Sequence, residues 1–331
     1  MTEERLKRLA EDLRASRIAP VYLFEGPDEY RKLRALEAVR RALFGDAEAP
    51  ELAFERLDAA PAVQVCERAR TAPFFVEQRL LVAAGAERYG EADLAALEVY
   101  VAEPSPSAVI VFWAEGKLDR RKKTYKFFEK IEAVYHFAYL TGRARRARLA
   151  SEAERVGVKL TPEAVSYLDY ALAPDLFTVV RELEKLAAYA GDRELDAEEV
   201  AEVAATSRLD NVYEMVRHVG EGRLADAVTE LRRLLLAGER PESMIGLFAR
   251  QVRLIWLARE LRAAGLAAAE IASRLRVPPF YVGEYLAAAD RLPPQRLAAL
   301  HRQLSELDHG VKTGRLPASL ALELFAARAA T

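Results

Sequence analysis

The feature that most constrains this chain is a change of hydrophobic period near residue 141. Before that point, short apolar runs alternate with helical patterns. Residues 21–24 (VYLF), 80–84 (LLVAA), 108–114 (AVIVFWA) and 134–139 (VYHFAY) have strand length, and 54–58 (FERLD) is a weaker fifth candidate. Between them, apolar residues recur at helical spacing over 28–44, 61–71, 91–102 and 120–132. Strands that alternate with helices predict a parallel sheet covered on both faces. After Thr141 the strand signal disappears. Residues 142–208 read as several short helices, one of them opened by Thr161-Pro162-Glu163: a capping hydroxyl, a proline in the first turn, then an acid. Residues 209–331 are helical again, broken at 220–222, 237–242, 277–279 and 292–294. The expected fold class is α/β plus all-α, with domains at 1–141, 142–208 and 209–331.

The first strand, turn and helix pose a chemical question. Strand, glycine turn and helix is how a phosphate-binding loop begins. Such a loop needs G-x-x-x-x-G-K-[ST], because backbone N–H groups cradle the phosphates while the Lys and Ser/Thr hold phosphate and Mg²⁺. No stretch of the chain matches this pattern in full. The later glycine and the lysine–threonine pair read as missing. Gly26 is followed by Pro27, which has no N–H to donate, and Asp28 and Glu29 would repel a polyphosphate. Glu115, after the apolar run at 108–114, sits one residue from where a metal-binding acid would follow; an ordinary strand end explains it better.

Other chemistry is equally sparse. Residues 220–225 (GEGRLA) fit the loose dinucleotide pattern, but they follow a helix where a strand is required, so a helix-terminating glycine explains them. The four histidines show no metal-ligand spacing, and one cysteine cannot complete a zinc site. Cys66 lies in a helical pattern and reads as a buried thiol. No catalytic set emerges, and no cofactor, nucleotide or metal is expected. One cysteine also forbids an intrachain disulfide. The start of the chain is charged and amphipathic, unlike a signal peptide, and no apolar run approaches a membrane span. A net charge of −2 gives no global basic field, so any nucleic-acid contact must come from a local patch.

Two local features remain. Residues 115–130 (EGKLDRRKKTYKFFEK) carry seven basic residues against three acidic ones, net +4, at the C-terminal edge of a strand, where α/β sheets place functional loops. This run reads either as a solvated helix face or as a contact for phosphate backbone. Residues 70–84 (RTAPFFVEQRLLVAA) place two adjacent phenylalanines after a helix-ending proline. Neighbours on one strand cannot both point inward, so Phe74 and Phe75 are either core residues or an exposed anchor.

Taken in order, PVYLFEGPDEY, ERLDAA, TAPFFVEQRLLVAAGAERY, VIVFWAEGKLDRRKKTYK, VRELEKLAAYAGDRELDAEEV, RRLLLAGERPESMIGLFARQVRLIWLARELRAAG, IASRLRVPPFYV and VKTG resemble the delta-subunit family of bacterial DNA polymerase III clamp loaders. The resemblance spans nearly the whole chain, and the order of the blocks is more specific than any one of them. It implies an AAA+-type parallel-sheet module, a small helical lid and a C-terminal helical collar. It also implies a subunit that hydrolyses no ATP itself, although the family is classed with DNA-directed DNA polymerase activity. The implied partners are the ring-shaped sliding clamp (beta), whose interface the subunit opens, and the gamma/tau-type and delta-prime-type subunits of a hetero-pentamer. Primer–template DNA is bound through the complex. The implied location is the cytoplasm, with no membrane contact.

The family's Leu-Phe pair maps onto Phe74-Phe75, with Phe replacing Leu at 74, and Thr71, Pro73 and Val76 shape the wedge around it. Lys117, Arg120 and Lys123 are candidates for DNA contact. Active relatives carry a nucleotide-touching arginine where this chain has Phe177, and their Ser-Arg-Cys finger is absent here, since the one cysteine, Cys66, follows Gln64-Val65. The competing expectations are an active AAA+ ATPase and a helical DNA-binding regulator. Residues 268–286 have helix-turn-helix spacing for the latter, but their second helix has almost no basic residues.

Overall fold

The computed structural model describes residues 2–45, 53–72, 76–172, 175–203, 208–236 and 241–328. The chain forms two compact units, Met1–Leu140 and Thr141–Thr331. In the first, strands β1 (Val21–Glu25), β2 (Phe54–Asp58), β3 (Arg79–Ala84), β4 (Ala108–Trp113) and β5 (Val134–His136) form one sheet in the order β2-β3-β4-β1-β5. Every pairing is parallel, with Leu23 opposite Phe112 and Val82 opposite Val111. The helices are α1 (Thr2–Arg14), α2 (Glu29–Phe44), α3 (Ala62–Arg70), α4 (Glu91–Ala102) and α5 (Lys123–Lys130).

The continuous apolar runs follow from burial on both faces. Leu23, Leu81, Ile110 and Phe112 face a core shared with Val65, Cys66 and Ala69 of α3, Leu97 and Tyr100 of α4, and Tyr125 and Phe128 of α5. Their neighbours Tyr22, Phe24, Val82, Val111 and Trp113 face the opposite core, with Leu9 and Leu13 of α1 and Leu36 and Val39 of α2. Strand β2 is at an edge and alternates between exposed and half-buried residues, which is why its signal is the weakest of the five.

Two elements are shorter than their apolar runs. Helix α5 occupies 123–130 rather than 120–132, because Asp119 holds Arg121 through backbone and side-chain bonds and so builds a turn ahead of it. Strand β5 stops at His136, and the carbonyl of Phe137 is drawn instead to the N–H of Asp28.

The second unit contains α6 (Gly142–Val156), α7 (Pro162–Ala171), α8 (Leu176–Ala190), α9 (Ala197–Val203), α10 (Arg208–Gly220), α11 (Leu224–Leu236), α12 (Pro241–Ala263), α13 (Ala268–Leu275), α14 (Val282–Arg291), α15 (Pro294–Lys312) and α16 (Ala318–Arg328). The Thr161 hydroxyl accepts from the N–H of Ala164, with Pro162 in the first turn of α7, as its sequence predicts. Helix α10 ends at the GEG triplet: Gly222 has φ +74° and the N–H of Arg223 closes onto the carbonyl of His218 at 2.8 Å. One feature was not expected there. Lys159–Leu160 and Glu194–Leu195 form a two-residue parallel pair, β6 and β7, too short to leave any periodicity.

The helix-turn-helix segment turns one face into the core of this unit and leaves the other exposed. Ile271, Ala272, Leu275, Val282, Tyr285 and Ala288 are all within the core of this unit. Tyr167 of α7 stacks on Tyr281 with ring centroids 6.0 Å apart, Tyr170 meets the hydroxyl of Tyr285, and Arg250 of α12 lies over the Tyr170 ring at 5.0 Å. Among the described residues, no helix is long and apolar enough to cross a membrane.

Candidate functional site

Strand β1 runs through the interior of the sheet, beside β4, and the chain after it crosses to the far edge. Ligands of open α/β sheets bind at such a switch point, outside the carboxyl ends of the strands. Here that place is closed by the protein. Gly26 has φ +112°, and its N–H donates to the carbonyl of Gly116 at 2.6 Å. The N–H of Asp28 donates to the carbonyl of Phe137 at 3.0 Å, and the N–H of Phe137 donates to the carbonyl of Glu25 at 2.7 Å. A Cβ at Gly26 would lie 2.4 Å from the Phe137 oxygen, so only glycine fits. The Asp28 side chain accepts from the N–H of Arg31 at 3.1 Å and caps α2. The amides of Gly26, Asp28 and Arg31 therefore all have acceptors within the fold.

Lys32 corrects the expectation that the loop lysine is missing. It stands six residues after Gly26, the spacing that the phosphate-loop pattern gives its lysine, within Arg31-Lys32-Leu33 in place of G-K-[ST]. The side chain is fully buried. Its ammonium donates to the carbonyl of Ala114 at 2.9 Å, pairs with Glu29 and lies 4.7 Å from the centre of the Trp113 ring. Searching for the complete motif hid this residue; its spacing from Gly26 was the available signal.

Glu25, also missed, is a second buried polar node. Its carboxylate accepts from the N–H of Leu118 at 2.6 Å and meets Nδ1 of His136 at 2.8 Å. It ties the end of β1 to the loop after β4 and to β5. Cys66 is buried as expected, and burial pushes its thiol up to about 11, which keeps it protonated and unreactive near neutrality.

The structure distributes the basic segment rather than focusing it. Lys117, Arg120, Arg121, Lys122, Lys123, Lys126 and Lys130 are all exposed. Arg121 is paired with Asp119 at 2.9 Å, and its hydrogen bonds hold the Asp119 carboxyl down to about 2. Lys123 is paired with Glu91 at 2.5 Å, and that bond also lowers the Glu91 carboxyl. Arg120 lies over the Tyr125 ring at 5.8 Å, in a cleft with Arg5, Arg8 and His136. Lys122 and Lys123 border a different cleft, beside Tyr89 and Gly90. Lys117, Lys122, Lys126 and Lys130 make no ion pair among the described residues.

Of the five clamp-binding candidates, Pro73, Phe74 and Phe75 lie outside the described residues. Thr71 is exposed and caps the end of α3, with its hydroxyl donating to the carbonyl of Glu67 at 2.9 Å. Val76 is half-buried. Phe177 is 40% exposed, at the start of α8, where Asp175 accepts from the N–H groups of Phe177 and Thr178 at 3.2 and 3.0 Å. An aromatic ring at that position brings no charge.

A five-stranded parallel sheet whose phosphate turn is filled by its own backbone, followed by a largely helical unit, defines an AAA+-like module joined to a helical C-terminal part. A family model described as "DNA polymerase III, delta subunit" matches residues 22–138, and one described as "DNA polymerase III delta subunit, C-terminal domain" matches residues 209–329. The DNA polymerase III subunit delta of Bacillus subtilis is 27% identical over 325 residues, covering 95% of this chain and 93% of that protein. The replication factor C small subunit of Methanopyrus kandleri is 33% identical over 102 residues, 31% of this chain and 16% of that one. Among solved structures, the Bacillus subtilis DNA clamp loader delta protein is similar at a TM-score of 0.53 and 26% identity, covering 98% of this chain and 99% of that one. The chain belongs to the DNA polymerase III delta subunit family.

Proposed function

We propose that this chain is a clamp-loader subunit of DNA replication that binds the sliding clamp and opens one of its interfaces, without hydrolysing ATP itself. The observation that carries this reading is the closed turn. The amides of Gly26 and Asp28 and the ammonium of Lys32 already have partners inside the fold, and a phosphate could reach them only by breaking several bonds of the core. A subunit of this family built in that way acts by protein contact and leaves nucleotide hydrolysis to its neighbours.

In this reading residues 1–141 are the module without a nucleotide site, 142–208 the lid and 209–331 the collar. Phe74 and Phe75 enter an apolar pocket on the clamp, flanked by Thr71, Pro73 and Val76. The other partners are gamma/tau-type and delta-prime-type subunits in a hetero-pentamer, in the cytoplasm. Primer–template DNA is held through the assembled complex, with Lys117, Arg120 and Lys123 as contributors. Lys117 is the strongest of the three, because Arg120 is engaged with Tyr125 and Lys123 with Glu91.

A pull-down with purified sliding clamp in the absence of ATP tests the reading. Capture without nucleotide supports it. Capture only with ATP, together with measurable ATP binding by the isolated chain, supports an active ATPase instead.

A further inference from the structure

We infer that Glu25 is a positioning residue for the basic segment and holds Lys117 at a fixed point beyond the sheet, a proposal that rests on the reading of Lys117 as a contact for DNA. The chain leaves β4 at Trp113 and is laid across the end of β1 by three hydrogen bonds. The N–H of Ala114 donates to the carbonyl of Phe24 at 3.0 Å, and the carbonyl of Gly116 accepts from the N–H of Gly26 at 2.6 Å. The N–H of Leu118 donates to Oε2 of Glu25 at 2.6 Å. Burial alternates in step with these bonds. Ala114 and Leu118 lie in the core, whereas Glu115, Lys117 and Asp119 are exposed. Lys117 is thus presented outward between two tethers. The first, at Gly116, runs from backbone to backbone; the second, at Leu118, depends on one side chain.

That side chain is a carboxylate with no exposed surface. Its other oxygen meets Nδ1 of His136 at 2.8 Å, and the backbone carbonyl of Glu25 accepts from the N–H of Phe137 at 2.7 Å. The neighbouring strand therefore fixes the acceptor before it meets the loop. Without the carboxylate, the buried N–H of Leu118 would lose this acceptor, and the loop would have to open for water to reach it. An open loop must be ordered again when Lys117 meets a phosphate, and that ordering subtracts from affinity. The sign of the effect is diagnostic. Glu25 is an anion, so if it acted through its field alone, removing it would favour a polyanion. A positioning role predicts weaker binding instead.

The experiment is a double-mutant cycle in the assembled loader, read as the dissociation constant for primer–template DNA and its dependence on salt. Glu25→Ala should weaken binding about fivefold and flatten the salt slope in the wild-type background. In the Lys117→Ala background it should weaken binding less than about twofold, because the residue acts through Lys117. Glu25→Gln keeps an oxygen for the Leu118 N–H and should bind DNA no more weakly than the wild type. Unchanged or tighter binding by Glu25→Ala, where Lys117→Ala is weakened, overturns the positioning role and leaves the Lys117 contact standing. Equal losses in both backgrounds overturn it too, and so does a glutamine variant as weak as the alanine one. If Lys117→Ala itself binds DNA normally, with an unchanged slope, the contact assignment fails and the positioning role with it. Glu25→Met, which fills a similar volume without an acceptor, takes the place of Glu25→Ala should the alanine variant fail to enter the loader, with the same losses expected.

Discussion

Lys32 donates from its ammonium to the carbonyl oxygen of Ala114 at 2.9 Å, joining the first turn of α2 to the end of β4. Where a phosphate-loop lysine would face a ligand, this one pins two elements of the fold. Lys32→Met keeps the apolar stem and removes the donor, leaving a buried carbonyl without its partner. The variant should lose about 1–3 kcal/mol of stability, measured by urea unfolding. An unchanged midpoint would show that the bond contributes nothing to the fold.

The alkaline side of the stability profile is shaped by buried acids, among them Cys66 and Tyr22 of the first unit, with Tyr89, Tyr100 and Tyr135 shifted upward by burial in the same way. Burial pushes the Cys66 thiol from its ordinary 9.0 up to about 11 and the Tyr22 phenol from 10.0 up to about 12. The unfolded chain releases these protons first, so rising pH favours unfolding. Their contribution is fully present below pH 9 and is lost between about pH 9 and 12, at about 2 kcal/mol for each group. Cys66→Ala should remove the part of the decline that begins near pH 9 and leave the part carried by the buried tyrosines. A wild-type stability that stays level from pH 8 to 12 would contradict this.

Most of the sheet was legible because its central strands are buried on both faces, which writes them as unbroken apolar runs such as Val109 to Trp113. The covering helices were legible for the same reason, through one apolar stripe each. Lys32 and Glu25 were not. A buried charge is tolerated only where partners converge on it, and apart from Glu29 beside Lys32 the partners here come from Ala114, Leu118 and His136, far away in sequence. The candidate site divides in the same way. The two phenylalanines were noticed because adjacent aromatics defy strand alternation, whereas the hydrogen bonds of Arg79 to the carbonyls of Arg68 and Thr71 gave no signal, since they join residues eight and more positions apart.

The helical unit should answer to its aromatic contacts. The Tyr285 hydroxyl donates to Oε1 of Gln251 at 2.7 Å and also meets the Tyr170 hydroxyl. Tyr285→Phe should cost about 1–2 kcal/mol, since Gln251 is buried. Adding Tyr170→Phe should cost less than the sum of the single changes. Strictly additive melting data would show that α7 and α14 are not coupled through this pair.

Unpaired and paired basic residues of this segment should behave differently in DNA binding by the assembled loader. Lys117→Glu/Lys126→Glu reverses two charges that have no ion-pair partner among the described residues, and Arg121→Glu/Lys123→Glu reverses two that are already paired with Asp119 and Glu91. The first variant should flatten the slope of log affinity against log salt by roughly 0.9 for each phosphate that is no longer neutralised, and the second should flatten it less. Equal slopes in the two variants and the wild type would mark the segment as a solvated face.

The central claim is that the chain grips the clamp through Phe74 and Phe75 without nucleotide. Its most direct test is a fluorescence titration of purified sliding clamp with the wild-type chain and with Phe74→Ala/Phe75→Ala, both free of ATP. The account predicts saturable binding by the wild type and an affinity at least about tenfold weaker, or about 1.4 kcal/mol, in the variant. A smaller effect, or wild-type binding that appears only when ATP is added, would contradict it.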